Sequence, residues 1–110
     1  MAGRAMFLLR IKPGEEAEFE RRWMEALDDL RAHKGFRSRE LIRVIDGDGS
    51  YVVLSEWDTP EDYFEWRNSL DRARIYGDEL SPHFAAPPVT GVGEVLVRME
   101  ATAPLPGEPQ

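Results

Sequence analysis

The chain contains no cysteine. That excludes disulfides, thiolate metal sites and a cysteine nucleophile, and fits a reducing compartment. It also lacks any apolar run near the roughly 20 residues a membrane-spanning helix needs. Residues Met1 to Arg10 have neither the apolar core nor the cleavage site of a signal peptide. The expectation is a cytoplasmic protein without a membrane partner. Positive charge is in short supply: 14 Lys and Arg face 21 Asp and Glu, a net charge of -7. With no basic stripe to offset it, nucleic acid is not an expected partner. Histidine occurs only at His33 and His83. Nucleophile elbows, phosphate loops and paired-histidine metal motifs are all missing.

What is present is ordinary for a globular domain, with 42% hydrophobic and 32% charged residues. A length of 110 residues sets one domain with a modest core, which burial in a dimer would enlarge. Residues 1–102 carry patterned sequence. From Ala103 the chain holds Pro104, Pro106 and Pro109, and a mobile tail over 103–110 is expected.

The most structured stretch runs from Trp57 to Ser69. Thr59 reads as a helix N-cap and Pro60 as the first helical residue, where a missing N–H costs nothing. Asp62 follows three residues after the cap, in the position of a capping-box acid. Tyr63, Trp66 and Leu70 then repeat at helical spacing and give the helix an aromatic face.

Around it, Ala5 to Ile11 is an apolar run that reads as a strand buried on both faces. Glu15 to about His33 reads as a helix, with Phe19, Trp23, Leu27 and Leu30 on one side and Gly35 as its stop. Phe36 to Ile45 and Tyr51 to Trp57 read as strands joined by the hairpin Asp46-Gly47-Asp48-Gly49-Ser50. The spaced acids of that loop do not make a calcium site, because Tyr51 and Trp57 fall where Gly and Glu are required. A helix from Asp71 to about Gly77, a loop, and a strand from Val89 to about Glu100 complete the chain.

The order β-α-β-β-α-β is the split pattern of an α+β, ferredoxin-like fold: a four-stranded antiparallel sheet with helices on one face. Strand 2 alternates Arg37, Arg39, Leu41, Arg43 and Ile45 against Phe36, Ser38, Glu40, Ile42 and Val44. Charges of both signs on apolar strands suggest a face covered by another protein. The expectation is a homodimer in which two sheets close into an α+β barrel.

The Gly35-Phe36 pair, the segment Tyr51-Val52-Val53-Leu54-Ser55-Glu56-Trp57 and the run Asp62-Tyr63-Phe64-Glu65-Trp66 together resemble the antibiotic biosynthesis monooxygenase domain, a family of dimeric α+β barrels. The family holds several chemistries. Its haem-degrading branch combines a strand-1 Asn, a Trp on the second helix and a His ten residues later. Here those positions are Phe7, Trp66 and Tyr76, which disfavours that branch. Its quinone-forming branch fits better. The resemblance then implies a cofactor-independent monooxygenase, with no metal or flavin, acting with dioxygen on a small aromatic phenol or anthrone. A polyketide cyclase and a non-catalytic binding module are the alternatives. Some relatives carry an Asn one helical turn before the Trp; Asp62 stands there and lacks the amide donors.

Trp66 is accordingly a candidate pocket wall, against the plainer reading of a core aromatic. Asp62, Tyr76 and His83 are candidates for proton handling, although Asp62 also serves as a cap and His83 lies in a proline-flanked loop. Phe7 and Leu9 share a parity that points them toward the helices, and Tyr63 and Arg72 are candidate substrate contacts. Trp57 reads as packing and Asn68 as a helix end.

Overall fold

The computed structural model describes residues 2–26, 30–47 and 49–102. Leu27 of the expected stripe, Asp48 of the hairpin and the tail from Ala103 lie outside the described residues. Strands β1 (Gly3–Leu9), β2 (Phe36–Arg43), β3 (Tyr51–Trp57) and β4 (Val89–Glu94) form one antiparallel sheet in the order β2-β3-β1-β4. Helices α1 (Glu16–Glu25) and α2 (Pro60–Arg67) lie between them in sequence, and a short turn α3 (Leu70–Arg72) leads into a π-helical segment, Ala73–Leu80. Ser81–His83 adds a turn of 3-10 helix.

Alternation decides what each strand buries. In β1, Ala5, Phe7 and Leu9 are buried while Met6 is 42% exposed. The run read as buried on both faces is therefore buried on one face within a single chain. Strand β3 alternates in the same way: Tyr51, Val53, Ser55 and Trp57 point inward. The core fills the space between these residues and Phe19, Trp23, Leu30, Tyr63, Trp66, Ile75, Tyr76 and Leu80.

The α2 cap forms as its residues dictate, with the Asp62 N–H donating to Thr59 Oγ1 at 3.1 Å. Close approach sets the other end of that junction. A Cβ on Gly3 would sit 2.7 Å from Pro60 N, so only glycine lets β1 start beside α2.

Several boundaries differ from the sequence reading. Helix α1 ends at Glu25 rather than near His33. Strand β1 ends at Leu9, and Ile11 makes only an isolated bridge to Phe84. Strand β2 stops at Arg43, short of Ile45. The helix expected over 71–77 runs on to Leu80, with Gly77 exposed inside it and Ser81 Oγ donating to the Gly77 carbonyl. Strand β4 ends at Glu94 instead of near Glu100: its pairing with β1 runs to Gly3, and one last bond, from the Val95 N–H to the Ala2 carbonyl at 3.1 Å, closes the ladder. Leu96, Val97 and Met99 beyond it are exposed.

The largest correction concerns β2. Phe36 pairs with Trp57 and Ser38 with Glu56, which leaves Arg37 as the extra residue of a β-bulge. Phe36 therefore shares a face with Arg39, Leu41 and Arg43, not with Ser38 and Glu40. That face is the one under the helices, and Arg39 points into the protein rather than toward a partner across the open sheet.

Candidate functional site

Trp66 is the hub of a packed aromatic cluster, a chamber that its own side chains fill. It is buried, stacks on Trp57 with ring centroids 5.9 Å apart and 30° between planes, and meets Tyr63 at 6.0 Å. Its edge faces Tyr76 at 6.1 Å, and His33 lies at 6.3 Å. Phe7 reaches the same place from β1, edge-on to Tyr76 at 5.6 Å and 6.2 Å from Tyr63. Three separate devices assemble this group. Strand alternation turns Phe7 inward, helical spacing sets Tyr63 beside Trp66, and the wider π turn carries Tyr76 with Ile75 into the core.

Arg39 enters from β2. Its Nη2 donates a hydrogen bond to the Tyr76 hydroxyl oxygen. Its Cζ lies 4.4 Å from the Trp23 ring centroid, 5.5 Å from that of Tyr76 and 6.0 Å from that of Trp66. Arg72 places its own guanidinium 4.9 Å from the Tyr76 ring centroid. Among the described residues no carboxylate pairs with Arg39. The arginine keeps some exposure as a residue, yet Nη1 is sealed from solvent.

Four buried side-chain atoms lack a well-directed hydrogen-bond partner among the described residues: Trp23 Nε1, Trp66 Nε1, Arg39 Nη1 and Arg72 Nε, of which the Trp23 N–H still leans toward the Tyr76 oxygen and favours its ionised form. All four are donors, and all belong to side chains lining this chamber. Buried polar groups are normally satisfied, so such a concentration calls for an explanation. The electrostatics agree with it. Burial raises the Tyr76 phenol, against the pull of Arg39 and Arg72, so Tyr76 stays neutral at physiological pH. Burial likewise raises Tyr63 and pushes the Arg39 guanidinium down. Because Arg39 donates to the phenol oxygen, the Tyr76 O–H is left free to donate onward.

Clefts flank the chamber on two sides. One of about 480 Å³ lies outside Trp23, lined also by Glu20, Met24, Leu41, Arg43 and Tyr51. Another of about 240 Å³ touches Arg72, Tyr76, Phe84 and Thr90. A further cleft of about 490 Å³ lies over Phe64, Val92 and Leu96 and shares no residue with the chamber.

The residues singled out in the sequence divide into two groups. Phe7, Tyr63, Trp66, Tyr76 and Arg72 come together around the chamber. Leu9 is buried one layer away, paired with Tyr51. Asp62 is buried against Gly35, with Lys34 Nζ 3.8 Å from its Oδ1. His83 is tied to the chain before α1: its Nδ1 lies 2.9 Å from Glu15 Oε1, and its carbonyl accepts from Lys12 N–H at 2.9 Å. Trp57 packs, its Nε1 donating to Ser55 Oγ at 3.0 Å. Sequence reasoning missed Arg39, and it placed Trp23 on the buried stripe of α1 without bringing it beside Arg39. A bulge carries no local signature strong enough to reverse an alternation pattern, and Trp23 reads as one more residue of a helix stripe.

Several solved structures share the fold of this chain at low identity. SnoaB, a cofactor-independent oxygenase from Streptomyces nogalater, superimposes with a TM-score of 0.77 at 18% identity, over 93% of this chain and 98% of that one. MhuD, solved as a mutant with two manganese protoporphyrin IX bound per active site, gives 0.75 at 20% identity, over 89% and 98%. The uncharacterized protein YczJ of Bacillus subtilis (strain 168) is 34% identical over 75 residues, 59% of this chain and 79% of the relative. The family model described as antibiotic biosynthesis monooxygenase matches residues 3–86, from the start of β1 through the π-helical segment, and the chain belongs to that family.

Proposed function

We propose that this chain is a cofactor-independent monooxygenase that converts an aromatic polyketide-type phenol or anthrone to a quinone. One observation carries the reading: Phe7, Trp66 and Tyr76, far apart in sequence, meet in a buried aromatic chamber whose free polar atoms are all donors. A planar substrate stacks on Trp66, with Phe7 and Tyr63 at its edges. Tyr76, backed by Arg39, donates to the substrate oxygen.

The chemistry then needs little from the protein beyond a dry, shaped site. The substrate loses a proton, and its anion passes one electron to dioxygen. The resulting radical and superoxide combine at carbon to form a C–O bond, and a returning proton gives the hydroperoxide. Loss of water breaks the O–O bond and the remaining C–H bond and leaves the new carbonyl, so a methylene and dioxygen become a ketone and water. Asp62 and His83 are engaged by Lys34 and Glu15, so the substrate gives up its proton to solvent water through its own acidity, and Tyr76 acts as a hydrogen-bond donor to the resulting anion rather than as a base.

The same reading includes a homodimer closed over the open sheet face and a place in secondary metabolism. Oxygen uptake tests the activity, using a panel of anthrones and naphthacenone-type phenols with metal-free protein in chelator. Quinone formation with matching oxygen consumption is expected, and Trp66→Phe reduces it by roughly tenfold, equivalent to about 1.4 kcal/mol of barrier. Ring closure without uptake would instead identify a cyclase. No turnover across the panel would remove the oxygenase reading.

A further inference from the structure

We infer that the chamber takes its ligand as an oxygen anion, the ionised form of a phenol or enol, anchored on Arg39. The inference rests on the reading of the chamber as a ligand site and adds the charge state of what enters it. Three observations support it. Arg39 places a cation in the interior with no carboxylate opposite it among the described residues, and a buried charge without a partner is costly. The four unsatisfied atoms are two indole N–H and two guanidinium N–H groups, so the unmet hydrogen-bonding capacity of the chamber is all on the donor side. The acceptor that Arg39 does find, the Tyr76 oxygen, belongs to a neutral phenol. A neutral hydroxyl ligand would bring one more donor into a site already crowded with them. Its anion brings only lone pairs and supplies the missing charge.

The other titratable and charged groups facing the chamber do not offer that charge. Tyr63 on α2 is buried and neutral, Arg72 is cationic, and His33 beside Trp66 lies 3.4 Å from Asp71. Beyond Trp23, Glu20 is taken by Arg43 at 2.7 Å and by the Tyr51 hydroxyl at 2.5 Å. Since all four donors are sealed, the ligand displaces a covering side chain. Trp23, which lines the cleft of about 480 Å³, is that cover.

The test uses 2-hydroxyanthraquinone, whose neutral and phenolate forms differ in visible absorption, and its methyl ether, which cannot ionise. Both are already at the quinone level, so the result does not depend on turnover. Below the pKa of the free probe, the bound probe is expected to show the phenolate spectrum, and the ether to bind at least about tenfold more weakly. In Arg39→Met the bound probe becomes neutral, its apparent pKa rising by about one unit or more, whereas Arg39→Lys retains part of the shift. Should Arg39→Met fail to fold, the wild-type comparison of phenol and ether decides alone. Equal binding of the two, with the phenol neutral, overturns the inference while leaving the chamber as a ligand site. Binding of neither removes both.

Discussion

Gly35 and Asp62 occupy each other's space, and this pair defines what single residues contribute here. Gly35 has φ +78°, a conformation that costs most side chains about 1–2 kcal/mol, and a Cβ there would lie 2.1 Å from Asp62 Oδ2. Gly35→Ala therefore combines backbone strain with a clash and is expected to destabilise by roughly 2–4 kcal/mol in urea unfolding. Adding Asp62→Gly, which also removes the Asp62 Cβ that would lie 2.6 Å away, should recover the clash portion in a double-mutant cycle. Strict additivity of the two would show that they do not compete. The sequence announced Gly35 as a helix stop and Asp62 as a cap residue. Their mutual contact was not legible, because nothing in a linear pattern brings the start of one strand against the first turn of a later helix. The aromatic residues were easier. Parity and helical spacing fixed the inward direction of Phe7, Tyr63 and Trp66, and packing fixed the rest.

At the scale of elements, helix α2 is the best-specified part of the chain. Thr59, Pro60 and Asp62 place its first turn by chemistry that acts over three residues, which is why it could be read without tertiary information. Thr59→Ala removes the acceptor for the Asp62 N–H and should cost about 1 kcal/mol, visible as a lower urea midpoint with an unchanged slope. A change in slope as well would mean that the cap also shapes the unfolded or native ensemble. The π-helical segment is the opposite case. Its sequence, ARIYGDEL, carries a glycine that reads as a terminator, and no propensity scale distinguishes a π turn from an α turn. Burial of Ile75, Tyr76 and Leu80 selects that geometry, and burial is a property of the assembled core. A π turn at the edge of a proposed site matches where such turns are usually found.

For the molecule as a whole, the β-α-β-β-α-β order was sufficient to derive sheet topology, since crossover handedness leaves few alternatives. The same topology leaves one sheet face without helices. Met6 and Ile42 lie on it, 42% and 37% exposed, with Val89 at 66% on the edge strand. Two copies meeting there would bury these residues, and light scattering is expected to give the mass of two chains. Ile42→Glu, which puts a charge in that contact, should shift the population to one chain at micromolar concentration. An unchanged dimer in the variant would place the interface elsewhere.

The bulge at Arg37 bears on how this chain would tolerate changes in length. Because Arg37 is the unpaired residue of β2, its removal would let Phe36 and Ser38 pair in simple succession and would still leave Arg39 facing inward. Loss of Ser38 is equivalent, since Arg37 would then take its place opposite Glu56, whereas loss of one residue from Arg39 to Leu41 with the bulge kept would send the inward side chains downstream to the opposite face. Positions 37 and 38 are thus where a gap in β2 can open without moving the chamber. Relatives one residue shorter in this strand would align most faithfully with their gap there.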